Sequence, residues 1–226
     1  IVLFAISQLF ISCAAALDWP AFRLDSSHSA KSLDTVIGPS LFVKWAYNTA
    51  SNIWASPTVV DGIVFIGSSD HKIYAIAGGS GEVLWSYETG DAIYSSAAVV
   101  DDTVYFGSFD HNVYALDAKS GTPKWSYRTG GSVYSSPQVV DEVVYIGSFD
   151  RKVYALDRGT GQPIWSYETG GPIYSSPAVV ANMVYIGSSD NKVYAIYISK
   201  GEPKWVFKTG DYVSCSPLIS EGIVYV

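Results

Sequence analysis

From residue 42 onward, apolar and polar positions alternate in short runs, and the runs come in groups of four. Residues 92–129 show the unit. AIYSSAAVV meets Asp101-Asp102, TVYFGSF meets Asp110-His111, VYALDA meets Lys119-Ser120-Gly121, and PKWSYRT ends at Gly130-Gly131. Val, Ile, Tyr and Trp fill the runs, and turn residues separate them at about ten-residue spacing, the pattern of half-buried strands joined by tight turns. No window keeps a 3.6-residue period, so strands and no helix are predicted after the opening segment.

The unit repeats without insertion. Trp45, Trp85, Trp125, Trp165 and Trp205 stand 40 residues apart, as do Thr49, Thr89, Thr129, Thr169 and Thr209. The same spacing holds for Gly67 to Gly187, Asp70 to Asp190, Tyr74 to Tyr194 and Ser56 to Ser216. One four-stranded unit cannot bury both faces of its sheet, whereas radially stacked copies can. The predicted fold is therefore all-β, a β-propeller of four-stranded antiparallel blades with a 40-residue repeat. Complete blades fall near 52–89, 92–129, 132–169 and 172–209. Residues 42–49 read as a lone fourth strand and 212–226 as two further strands, so partial blades are expected at both ends, as in a piece of a larger ring. The five tryptophans are placed to fill the gaps between blades. Open blades present unpaired strand edges, which predicts self-association.

Residues 1–16 (IVLFAISQLFISCAAA) carry no charge and read as a secretory signal without its basic start, with Ala14 and Ala16 at the small cleavage positions. A lipoprotein reading instead processes Ser12-Cys13 and makes Cys13 the membrane tether, although Phe10 is unusual there. The segment is short for a membrane span. Either way the protein is expected outside the cytoplasm: periplasmic, at the cell surface or secreted. Residues 17–41 form a lead-in and 42–226 the repeats. With Cys13 in the signal, Cys215 stands alone and no disulfide is expected in the mature part. The net charge of −7 argues against a nucleic-acid partner, which needs a basic face.

Two segments, ALDAKSGTPKW at 115–125 and ALDRGTGQPIW at 155–165, resemble the tryptophan-docking motif A-x-D-x-x-T-G-x-x-x-W of the pyrroloquinoline-quinone (PQQ) type propeller repeats. The Ser-Ser-Pro-x-Val-Val and Val-Tyr-x-Gly-Ser-x-Asp runs, and DWPAFR at 18–23, are similar to the same family. Ala77 and Tyr197 replace the motif Asp and Lys200 replaces its Thr, so weaker corner hydrogen bonds are expected in those blades. The resemblance implies a closed ring of roughly seven or eight blades. It does not by itself imply the quinone, because the family includes non-catalytic members such as the lipoprotein of the bacterial outer-membrane β-barrel assembly machine.

The family's dehydrogenases hold PQQ under a vicinal Cys-Cys pair and a Ca²⁺ on Glu, Asn and Asp. No Cys-Cys occurs in this sequence, and between 52 and 209 almost nothing interrupts the repeat. No cofactor is expected from these residues; PQQ and calcium would need ligands from elsewhere. Gly79-Ser80-Gly81 lacks the helix and the third glycine of a dinucleotide loop. His71 and His111 occupy equivalent turns without a ligand-spaced neighbour. Asp70, Asp110, Asp150 and Asp190 fit turn acceptors, each taking a backbone N–H two residues on, better than a calcium loop. No G-x-S-x-G elbow exists. No catalytic or metal-ligating residue is therefore assigned.

One repeat position does look like a binding surface. Trp54, Tyr94, Tyr134 and Tyr174 recur on the face that carries the 70–72 type turns, with Ser214 ending the series, and symmetry places them on an arc near the channel mouth. His71, His111, Arg151 and Asn191 vary beside them. Aromatics with a polar rim suit a protein or glycan partner; the competing reading packs them blade against blade. The expected function is a non-enzymatic, extracytoplasmic scaffold. The alternatives are part of a PQQ-dependent dehydrogenase and a cell-surface carbohydrate-binding module.

Overall fold

The computed structural model describes residues 43–226, so the signal segment with Cys13 and the lead-in lie outside the described residues. Four sheets follow one another. The first contains β1 (Thr58–Val60), β2 (Ile63–Gly67), β3 (Lys72–Ala77) and β4 (Val83–Glu88). The second contains β5 (Ala98–Val100), β6 (Thr103–Gly107), β7 (Asn112–Asp117) and β8 (Pro123–Arg128). The third contains β9 (Gln138–Val140), β10 (Val143–Gly147), β11 (Lys152–Asp157) and β12 (Pro163–Glu168). The fourth contains β13 (Ala178–Val180), β14 (Met183–Ser188), β15 (Lys192–Tyr197) and β16 (Pro203–Lys208), and a two-stranded sheet of β17 (Leu218–Ser220) and β18 (Ile223–Tyr225) comes last. Every four-stranded sheet is an antiparallel meander in chain order. The short first strands of successive sheets lie side by side, so the blades radiate from a common centre.

Burial follows this geometry. The middle strands are covered on both faces by neighbouring blades, and β6 and β7 are buried almost throughout. The outer strands of the first three blades alternate: in β4, Val83, Trp85 and Tyr87 turn inward while Leu84, Ser86 and Glu88 are exposed. The core lies between blades rather than within them. Phe65 and Ile73 of the first blade pack with Ile93, Val104, Phe106 and Leu116 of the second. Gly107 permits the approach of the next blade, since a Cβ there would stand 2.3 Å from Val133 Cγ1.

Two strand boundaries differ from the expectation. Residues 43–49 form no strand, because a fourth strand pairs with the third strand of its own blade and the described chain has none before it. The first strand of each blade is three residues long rather than the nine-residue run of 92–100. Serine side chains replace the ladder there: Ser95 Oγ accepts the Gly107 N–H at 3.1 Å and donates to the Ser96 carbonyl.

Three ties repeat between blades. The Trp125 indole N–H donates to the Arg158 carbonyl of the next blade at 2.8 Å, and Trp45, Trp85 and Trp165 do the same to Gly78, Ala118 and Ile198. Asp110 Oδ2 accepts the Tyr114 hydroxyl and the Gly90 N–H of the preceding blade. Near the channel, the Ser56 N–H donates to Ser96 Oγ, Ser96 to Ser136, Ser136 to Ser176 and Ser176 to Ser216, at 2.9–3.0 Å.

Corner bonds vary as the motif does. Asp117 Oδ1 accepts the Ser120 N–H and hydroxyl, and Asp157 Oδ1 accepts both from Thr160. At Ala77 and Tyr197 only the backbone carbonyls receive the turn amides. Ala77→Asp places a carboxylate before Ser80 as Asp117 stands before Ser120. It is expected to stabilise by about 1 kcal/mol, a rise in Tm of about 2–4 °C, readable by thermal denaturation.

Candidate functional site: the channel mouth

The repeat position of Trp54, Tyr94, Tyr134 and Tyr174 does converge. All four line one cavity of about 240 Å³, together with Ser56, Ser96, Ser136, Ser176, Ser214, Cys215 and Ser216. The loop from each outer strand to the next inner strand brings one aromatic to the mouth. The serine chain two residues further on fixes that loop to its neighbours.

The three tyrosines pack against one another, and Trp54, Tyr134 and Tyr174 remain exposed. Tyr94 and Tyr134 have ring centroids 5.8 Å apart, as do Tyr134 and Tyr174. Phe109 and Phe149 interleave, with Tyr94–Phe109 at 4.6 Å and Phe149–Tyr174 at 4.3 Å. Even so Trp54 is 68%, Tyr134 37% and Tyr174 40% exposed. Phe109 and Phe149 escaped the sequence reading, because the same repeat position holds Ser69 and Ser189 in the flanking blades. The signal for them was the local Gly-Ser-Phe-Asp run that occurs in two successive blades.

His71, His111, Arg151 and Asn191 do not join this cavity. Each holds the left-handed position of the hairpin turn between its blade's second and third strands, with φ from 65° to 75°. Their backbone carbonyls accept the N–H of Thr89, Thr129, Thr169 and Thr209. The constant part of the turn is thus backbone, and the side chains are free to vary. Nε2 of His71 stands 3.8 Å from the Asp91 carboxylate, and Arg151 pairs with Glu168 at 2.8 Å.

The four turn aspartates behave differently from one another. Asp70, Asp110 and Asp150 accept the N–H two residues on through Oδ1. Asp190 does not: its Oδ1 is buried without a partner, while Lys192 Nζ lies 3.4 Å from Oδ2. In this blade Ser188 and Lys192 are already paired in the ladder, so the turn amide is not presented to Oδ1.

Among the described residues, no charged side chain lines the channel cavity. PQQ is an acidic quinone and needs cationic partners; its Ca²⁺ needs several oxygen ligands, carboxylates among them. The lining residues offer neither, so the described channel does not fit that pair. Among the described residues, no three His, Cys, Asp or Glu side chains gather as a metal-holding group. Cys215 is exposed and has no cysteine partner among the described residues.

The family model described as outer membrane protein assembly factor BamB matches residues 42–133 and 110–226. Among solved structures, BamB from Moraxella catarrhalis is similar with a TM-score of 0.69 and 23% identity, over 78% of this chain and 58% of that one. The quinohemoprotein alcohol dehydrogenase from Comamonas testosteroni is similar with a TM-score of 0.81 and 21% identity, over 93% of this chain and 46% of that one. A computationally designed protein is similar with a TM-score of 0.68 and 23% identity, over 74% of this chain and 53% of that one. At such identities the likeness carries the fold alone. The chain spans about half the length of these structures. A search of curated proteins gives no match.

Proposed function

Because the chain belongs to the family of outer membrane protein assembly factor BamB, a family of PQQ-like propeller repeats, we propose that it is an extracytoplasmic, non-enzymatic scaffold. In this reading the channel-mouth face holds a protein partner, a component of the outer-membrane protein assembly machinery. The observation that supports it is the aromatic ladder. Trp54, Tyr134 and Tyr174 stay exposed on a frame fixed by bonds between blades. Exposed, rigid aromatics are the anchors that interfaces use. Around them the turn residues His71, His111, Arg151 and Asn191 change side chain without changing backbone, which suits selective recognition. Trp45, Trp85, Trp125 and Trp165 serve as docking residues between blades rather than as part of the face, and Trp205 holds the same repeat position. The uncharged channel lining leaves the dehydrogenase alternative without support from these blades.

A photo-reactive residue at Tyr134 is expected to cross-link to an assembly component in cells. One at Ile164, exposed on the outer strand, is expected not to. The double variant Tyr134→Ala, Tyr174→Ala is expected to lose that partner. Its ring contacts with Phe149 contribute about 0.5–1.5 kcal/mol per pair, so it melts a few degrees lower rather than unchanged. Cross-links from Ile164 alone would move the interface to the outer strands.

A further inference from the structure

The cavity beneath the ladder has a chemistry of its own. Its volume of about 240 Å³ is room for one ring-sized solute. Among the described residues its walls carry no charge, so an ion entering it would gain no counter-charge from them. What the walls do offer is hydroxyl groups and aromatic faces. Ser96, Ser136 and Ser176 are more than nine-tenths buried. Each Oγ accepts an amide of the preceding repeat. Their hydroxyl protons donate to nothing among the described residues. A wholly apolar solute would leave those buried donors unmatched. A solute with both an apolar ring face and hydroxyls would cover the aromatics and pair with the serines.

We propose that this cavity binds one pyranose ring of a neutral saccharide, with aromatic faces against its C–H surface and the serine hydroxyls on its oxygens. The proposal rests on reading the chain as a binding propeller. It is separable from the protein-partner reading, since the cross-linking above involves no sugar.

The test is titration of the chain with glucose, N-acetylglucosamine and their short neutral oligomers, followed by saturation-transfer NMR and tryptophan emission. Saturable binding at millimolar or lower concentration is expected, with emission changes that disappear in Trp54→Phe. Glucuronate is expected to bind about tenfold more weakly, because its carboxylate finds no cation. Ser214→Tyr should weaken glucose binding about tenfold or more, since Ser214 lines the cavity and a phenol ring there takes up the space that the pyranose fills. Ser214 is exposed and makes no hydrogen bond among the described residues, so the melt should be unchanged. Affinity that rises with oligomer length would identify a glycan chain running out over the ladder, and equal affinity a free sugar; both support the proposal. Absence of saturation, tighter binding of glucuronate, indifference to Ser214→Tyr, or preferential binding of a neutral Gly-Ser peptide would each overturn it.

Discussion

Trp125→Ala is expected to lower the unfolding free energy by about 3–5 kcal/mol. The indole is held from three sides. Its N–H donates to the Arg158 carbonyl at 2.8 Å, its ring lies 5.8 Å from that of Tyr105, and its six-membered edge covers Gly161. Gly161 has φ +72°, and a Cβ there would come within 2.6 Å of the ring, so the site is closed to any other residue. Truncation opens a cavity between the second and third blades and leaves a carbonyl short of its donor. The damage spreads to Arg158, whose guanidinium joins Asp101 at 2.7 Å and Glu142 at 2.8 Å across the same gap. Trp125→Phe, which keeps a ring and removes the N–H, should lose about 1–2 kcal/mol. Urea unfolding separates the two: a fall in midpoint with unchanged slope reads stability alone. A shift below about 1 kcal/mol for the alanine variant would show that the blades are held by the serine and aspartate ties instead.

The repeat made the blades legible because every 40-residue copy carries the same burial demands on the same positions. Trp125 could be placed between blades before any coordinates, since nothing within one blade needs an indole on its outer strand. Ser95 and Ser96 show where such reading stops. Alternation continues through them, yet their side chains replace backbone partners, and the strand starts only at Ala98. The arc of Tyr94, Tyr134 and Tyr174 followed from symmetry alone. Phe109 and Phe149 did not, because their contacts join residues 15 or 25 positions apart, from a hairpin turn position that is serine in the flanking blades. His111 and Arg151 were placed beside the arc by symmetry, but they hold left-handed turn positions and are not among the residues that line the cavity. Asp110 was readable as a turn acceptor. Its second bond, to Gly90 of the preceding blade, needed the ring to be assembled.

That second bond makes Asp110→Ala the other substitution of large effect, expected to destabilise by about 2–4 kcal/mol. The carboxylate takes the Tyr114 hydroxyl at 2.6 Å, the Gly90 N–H at 2.8 Å and the Asn112 N–H at 3.0 Å. All three donors lose their acceptor together, and Tyr114 is buried, so water cannot fully replace it. Burial is the largest influence on this carboxyl and pushes its pKa up; the hydrogen bonds from Tyr114, Gly90 and Asn112 outweigh it and hold the group below the usual range. Asp190 is lowered in the same way. A carboxyl lowered by folding adds stability above about pH 4 that is lost as pH falls through its folded pKa. Tyr114 is shifted the other way, pushed up by burial first and then by its bond to Asp110, as Tyr74, Tyr154 and Tyr194 are by theirs. A raised phenol adds stability below about pH 10 that is lost as pH rises beyond it. Stability should therefore hold a plateau between these limits and fall at both ends. Asp110→Ala should lower the plateau and flatten both falls, because the variant has neither the lowered carboxyl nor its share of the raised phenol. Unfolding free energies measured from pH 3 to pH 11 test this. A variant that loses stability equally at every pH would show that packing around Tyr114, and not the charged bond to it, holds this corner of the blade.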